Sequence, residues 1–197
     1  MQQLEKLSKI LKKHGFESEL FSLGSLASER VCEIVKDHTI GFGSSMTIRK
    51  LGLLDSVKNY AKTVFTHLPG RGGEEERKAL TADFYLTSAN AISMDGHIVN
   101  IDGTGNRVSA TCFGPGKVIY LVGKNKITKT LDEAMKRAKD TAVKLAKYYH
   151  RKTPCAVTGK CENCLSDDCL CSLTLIHRKK PYGIDISVFL IDEELGL

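Results

Sequence analysis

Residues 81–127 constrain this chain more than any other stretch. They carry three short apolar runs, 84–86, 98–101 and 118–122, separated by turns rich in Gly, Asn and Asp. Runs this short, bounded by turn residues, predict buried strands rather than helices. The loops between them hold Asn90, Asp95, Asp102, Asn106, Arg107, Asn125 and Lys126. Polar loops at the ends of a buried sheet are where small-molecule sites form.

The flanking sequence supplies the helices. Leu4, Leu7, Ile10 and Leu11 recur at helical spacing with lysines between them, and Gly15 ends the pattern. A second helix is predicted through Leu26, Val31, Ile34 and Val35. Residues 40–42 read as a strand, residues 43–45 as a Gly/Ser turn, and Ile48, Leu51 and Leu54 as one helix. A strand, a Gly/Ser turn and a helix start can cradle an anion on free backbone N–H groups. A plain tight turn would have the same sequence. Residues 61–65 are a candidate strand. Arg71, in the Pro/Gly loop that follows, is either an anion clamp or a solvated side chain.

The best helical pattern begins at Thr130, which has capping-box spacing to Glu133. Leu131, Met135, Ala138, Ala142, Leu145 and Tyr149 mark its apolar face, and Glu133–Arg137 and Asp140–Lys144 are i,i+4 pairs expected on the exposed side. Two β-like runs, 173–176 and 184–191, close the chain. Strands alternating with helices predict an α/β fold, a mainly parallel sheet with helices on both faces. We read residues 1–197 as a single α/β domain, with 151–172 as a cysteine-rich metal-binding segment within it.

Composition narrows the function classes. The net charge of +6 favours anionic partners, but the lysines are spread over several helices and no nucleic-acid motif accompanies them. With no Trp and 7% aromatic residues, stacking platforms for single strands are few, so no nucleic-acid partner is expected. No apolar run approaches the roughly 18–20 residues that span a bilayer, so no membrane partner is expected either. The N-terminus lacks the pattern of a signal peptide, and a cytoplasmic location is the expectation.

Seven cysteines are many for such a chain, and five of them fall in the series Cys155-x5-Cys161-x2-Cys164-x4-Cys169-x-Cys171. Cys32 and Cys112 stand apart in apolar segments and read as small core residues. The clustering points to a metal, and thiolates suit zinc or an iron–sulfur cluster, each wanting four ligands. The spacing matches neither a ferredoxin run nor a simple zinc ribbon, so it does not choose the metal. Arg151 and Lys152 before the cluster, and Arg178, Lys179 and Lys180 after it, would offset its negative charge.

The runs GFGSSMTIRKLGL, ADFYLTSANAISMDGHIVNIDGTGNRVSA, FGPGKVIYLVGKNKI and TPCAVTGKCENC resemble the lactate-utilisation (LUD) domain family from about residue 25 to the end. The resemblance implies a fold similar to the ribose-5-phosphate isomerase, glucosamine-6-phosphate deaminase and CoA-transferase superfamily. Gly-rich loops at the carboxyl ends of parallel strands bind small anions there, and GFGSS sits where such a loop is often placed. Some relatives belong to an iron–sulfur system that oxidises lactate. On that ground the resemblance favours Cys155, Cys161, Cys164 and Cys171 as ligands, Cys169 as spare, and an iron–sulfur cluster over the alternative, zinc. The cysteine-rich tail departs from the simplest members.

The predicted ligand-binding set is Gly43, Ser44, Ser45, Asn90, Asp95, Asp102, Asn106, Arg107 and Lys126. Arg107 is a bidentate clamp for a carboxylate or phosphate. Asp95 and Asp102 are candidate general bases, yet each precedes a Gly, where Asp commonly bonds its own turn. Ser44, Ser45, Asn106 and Arg107 are expected to line one concave surface. The leading expectation is a protein binding a small anionic metabolite and a cysteine-ligated metal, in redox metabolism of lactate or a related hydroxy acid and serving a redox partner protein. Two alternatives stand beside it: a non-catalytic ligand sensor or assembly subunit with structural zinc, and a zinc-knuckle nucleic-acid binder.

Overall fold

The structure is a computed structural model that describes residues 1–66 and 73–197. The elements run in the order α1 (Gln2–Lys13), β1 (Glu17–Phe21), α2 (Gly24–Ile34), β2 (Thr39–Phe42), α3 (Met46–Lys50), α4 (Leu53–Lys58), β3 (Thr63–Thr66), α5 (Glu74–Ala79), β4 (Phe84–Thr87), β5 (Ala91–Ser93), β6 (Ile98–Asp102), α6 (Asn106–Cys112), β7 (Lys117–Gly123), β8 (Ile127–Thr128), α7 (Leu131–Tyr148), α8 (Pro154–Thr158), β9 (Leu173–His177) and β10 (Asp185–Ile191).

Six strands form one sheet in the order β1-β10-β7-β4-β2-β3, and every pairing in it is parallel. Strand periodicity divides its side chains between two cores. Val118, Tyr120 and Val122 of β7, with Ile186, Val188 and Leu190 of β10, face Leu4, Leu7 and Leu11 of α1 and Ala110 of α6. The alternate residues Ile119, Leu121, Phe189 and Ile191 face Ala27 and Val31 of α2, Ile48 of α3, and Leu53 and Val57 of α4. Helices therefore cover both faces, as the alternating pattern predicts.

The sequence does not announce a second sheet, β8-β5-β6-β9, in which β5–β6 and β6–β9 pair antiparallel and β5–β8 parallel. Run 98–101 belongs here and not with its neighbours 84–86 and 118–122 in the large sheet. Its alternation explains why: Ile98 joins the core of the large sheet, while Val99 and Ile101 pack with Ala134, Ala138 and Ala142 of α7. Asn100 lies on the same side as Ile98 and donates from Nδ2 to the Tyr120 hydroxyl at 3.1 Å, tying the small sheet to the large one. The helix predicted through Ile48, Leu51 and Leu54 is two, because Gly52 adopts φ +60° between α3 and α4.

Candidate functional site

Strands β2, β4 and β7 are adjacent and parallel, so their carboxyl ends open on one edge. The segments leaving them carry Ser44 and Ser45, Ser88 and Asn90, and Lys126. All five line a cleft of about 370 Å3, joined by Asp102 from the end of β6 and by Asn106 and Arg107 from the start of α6. The rest of the lining includes Thr141, Ala142 and Leu145 of α7, Tyr149 just past its end, and Arg151, Asp167, Asp168, Cys169 and Leu170 from the cysteine segment. Pockets of this size hold small metabolites.

Arg107 lies directly on the Gly/Ser turn. A Cβ added to Gly43 would meet Arg107 Cγ at 2.8 Å and the Tyr85 hydroxyl at 2.9 Å, so glycine is what lets the arginine close on the turn. The guanidinium donates to the Ile101 carbonyl and lies 3.7 Å from Asp102 Oδ2. It is therefore held in place, and the side chain lines the cleft.

Asp102 is a structural carboxylate. It accepts from the backbone N–H groups of Thr104 at 3.2 Å, Arg107 at 2.9 Å and Val108 at 3.2 Å, and so fixes the start of α6. Asn90 is similar: its Oδ1 accepts from the Ile101 N–H at 2.8 Å. Ser45 caps α3, accepting from the Ile48 N–H at 3.4 Å. A helix of five residues has little dipole, so the turn's contribution to an anion site is local N–H and hydroxyl groups.

Asp95 does not belong to this cleft. It sits half-exposed at the β5–β6 turn, 3.2 Å from His97 Nδ1. Its Asp-Gly dipeptide serves that hairpin. Arg71 lies outside the described residues.

Lys126 is the buried lysine of the cleft. Its amine donates to Thr47 Oγ1 at 2.7 Å and Ser88 Oγ at 2.9 Å, and the side chain is 5% exposed. Burial, reinforced by the charges of Arg137 and Arg107, brings its pKa down to about 7.

Sequence reasoning missed Arg137. It was expected on the exposed face of α7, paired with Glu133. Instead it turns inward and donates to the carbonyls of Asn90, Asn125 (3.0 Å) and Leu197 (2.9 Å). Glu133 instead accepts from the Lys129 N–H at 2.8 Å, while Thr130 caps the helix by accepting from the Glu133 N–H at 3.2 Å. A half-buried arginine bonded to three backbone segments leaves no trace in helical periodicity.

The cysteine segment meets the cleft from the other side. Cys155, Cys161, Cys164, Cys169 and Cys171 all line one small cavity of about 30 Å3 against Ala142, Val143 and Ala146 of α7. Asn163, left-handed at φ 49°, turns the chain between Cys161 and Cys164. Partial burial and the neighbouring Cys169, Cys161 and Cys164 thiols push the Cys171 thiol up to about 11. Among the described residues, no three His, Cys, Asp or Glu side chains stand in a ready metal-holding arrangement. Asp168 anchors the segment, accepting from Arg151 and from the Lys152 N–H, both at 2.7 Å. Of the two outlying cysteines, Cys32 is buried and Cys112 half-buried.

The LUD domain model matches residues 4–181. The chain belongs to the LUD domain family. It is similar in fold to the crystal structure of a DUF162 family protein from Deinococcus radiodurans, with a TM-score of 0.54, 14% identity and 96% of each chain covered. No curated protein matches the chain. Among the described residues of this LUD-family chain, no helix is long and apolar enough to cross a membrane.

Proposed function

We propose that this LUD-family chain binds a small carboxylate-bearing metabolite in the cleft, in cytoplasmic redox metabolism of lactate or a related hydroxy acid. The observation that carries the reading is the Arg107 guanidinium beside the Gly/Ser turn. Arg107 lines the cleft with Ser44, Ser45 and Asn106, Arg137 stands behind it, and Asp102, 3.7 Å from Arg107, is also committed to three backbone N–H groups. A guanidinium among hydroxyl and amide groups favours a small anion.

Cys155, Cys161, Cys164 and Cys171 would hold a metal centre, with Cys169 as the thiol to spare. Convergence of the thiols on one cavity supports this, because close thiolates repel one another until a cation joins them. When bound, an iron–sulfur cluster would supply one-electron chemistry and call for a redox partner protein. The second reading is structural zinc, favoured by the cavity's size: about 30 Å3 suits one ion better than a four-iron cluster.

Anaerobic purification followed by metal analysis and a visible spectrum tests the centre. Brown protein bleached by air supports the cluster, colourless protein with one zinc supports the structural site, and metal-free protein removes both. Calorimetric titration with L-lactate and pyruvate tests the cleft. Binding that Arg107→Ala weakens is expected, and no binding of either acid ends the carboxylate reading.

A further inference from the structure

Among the described residues, Lys126 is the one lysine that is buried, and it lines the cleft. Its partners are two hydroxyls rather than a carboxylate. Each hydroxyl has its own proton directed elsewhere: Thr47 Oγ1 donates to the Leu195 carbonyl at 3.2 Å, and Ser88 Oγ makes a long contact of 3.5 Å to the Ala89 carbonyl. Both oxygens therefore accept from Lys126.

That donor count favours one protonation state. An ammonium carries three N–H donors and meets two acceptors here. A neutral amine carries two donors, both satisfied, and one lone pair. With Thr47 and Ser88 taking two positions on the nitrogen, the third is left for the cleft. None of the three acids lining the cleft forms an ion pair with Lys126 among the described residues. Asp102 lies beside Arg107 and holds the start of α6, Asp168 holds Arg151 and Lys152, and Asp167 is exposed. Arg107 and Arg137 both oppose a further positive charge, which agrees with the lowered pKa. Buried lysines of this kind act as nucleophiles toward carbonyl carbon.

We propose that Lys126 is a nucleophile and forms a reversible imine with a small anionic aldehyde or ketone, a 2-oxo carboxylate being the class that fits the cleft. The inference rests on the carboxylate reading of the cleft and deepens it. The lone pair of Nζ attacks the carbonyl carbon, a C–N bond forms, and the carbonyl π pair moves to oxygen. One proton passes from nitrogen to that oxygen, giving a carbinolamine. Loss of water then forms the C=N bond, so amine plus ketone gives imine plus water. Nothing is oxidised or reduced, and no co-reactant is needed. The carboxylate of the bound acid would be met by the Arg107 guanidinium.

The test treats the full chain with pyruvate, glyoxylate or 2-oxoglutarate, reduces with borohydride, and maps the modified peptide. The expected result is one reduced adduct per chain at Lys126 from at least one of the acids. It should be absent in Lys126→Met and Lys126→Arg, the latter a side chain with no nucleophilic lone pair, with folding of both variants checked by thermal unfolding. A substrate-independent measurement accompanies it: the rate of acetylation by acetic anhydride, read residue by residue against pH, should show Lys126 becoming reactive well below the surface lysines. Modification confined to surface lysines, with L-lactate or pyruvate still binding by calorimetry, overturns the imine and leaves the anion cleft standing. Modification confined to surface lysines with no binding of either acid overturns both. Titration of Lys126 together with the surface lysines removes the neutral amine on which the proposal depends.

Discussion

The cleft and the cysteine segment are neighbours built on opposite principles. The cleft's polar residues are held by the fold. Lys126 and Arg137 each bond to chain segments distant in sequence, Asn90 bonds across the β5–β6 hairpin, Asp102 holds the start of α6, and the apolar residues around them are buried. Between Pro154 and Ser172, by contrast, no residue is buried, Leu165 is 99% exposed, and the only regular element is the five-residue α8. What ties the segment down is Asp168 on Arg151 and Lys152, Ser166 on the Lys152 carbonyl, and Asn163 on Lys139. A stretch with no core of its own needs another source of order, and a metal on converging thiols would provide it. The cleft is preorganised by packing. The segment gathers its thiols but does not close around them.

The two regions share Ala142, Cys169 and Leu170, which line both cavities. This makes the contrast breakable by mutation. The largest effect is expected from Cys161→Ser. If the centre is metal-bound, bound metal should fall from about one equivalent to near zero, and proteolysis within 154–172 should accelerate by about tenfold or more while the global unfolding transition is retained. Cys169→Ser should keep its metal. Loss of the whole fold with Cys161→Ser would erase the distinction between the regions.

Arg107→Ala is next. It removes the side-chain stem from Gly43 and the guanidinium from Asp102, and should weaken binding of L-lactate or pyruvate by about 10- to 100-fold, the range of a lost charge-assisted contact of roughly 1.5–3 kcal/mol. Calorimetry checks it, and metal content should be unchanged.

Lys126→Met should act in the stabilising direction. The folded amine loses its proton at about 7, against an ordinary lysine value of 10.5. Between those values the unfolded chain holds more protons than the folded one, so wild-type stability rises as pH increases from about 7 toward 10.5. The variant should flatten that rise and gain about 1–2 kcal/mol at pH 7, after allowing for the two lost hydroxyl contacts. Denaturant unfolding across this pH range measures both. A parallel pH dependence in the two proteins would mean that Lys126 stays charged in the folded state.

The smallest change is Gly103→Ala. A Cβ there would meet Leu170 Cα at 3.0 Å and the Cys169 carbonyl oxygen at 3.2 Å. The cysteine segment must shift by a few tenths of an ångström, at a cost of about 1 kcal/mol. Because this contact joins the two regions, ligand affinity should move slightly while the core is untouched. An unchanged affinity would show that the shared wall is passive.

Much of this architecture was legible in advance. Runs 84–86 and 118–122 are strands of the large sheet, the alternation predicts helices on both faces, and the long helix from Thr130 is present with its cap. Elements that escaped notice have weak local signals. β1, with the sequence ESELF, carries two charges in five residues, and it is a strand because β10 pairs alongside it. α6 follows a Gly-rich turn and owes its start to the Asp102 carboxylate, which reaches it from the end of β6.

What the sequence alone determines is local: which segments are strands, which are helices, where turns fall, and that five thiols lie close along the chain. Function-bearing placement was decided only by tertiary structure. Asp95-Gly96 and Asp102-Gly103 are the same dipeptide, both serving turns next to strands of the same hairpin. One ends at an outer turn beside His97, and the other at the wall of the cleft. Arg137 and Lys136 are adjacent on one helix, yet Lys136 pairs with Asp140 in solvent while Arg137 turns inward, half-buried, to three backbone carbonyls. Turn and helix chemistry is read over a few residues. A concave surface arises where the ends of β2, β4 and β7 meet α6, α7 and the cysteine segment, and no short-range pattern encodes that meeting.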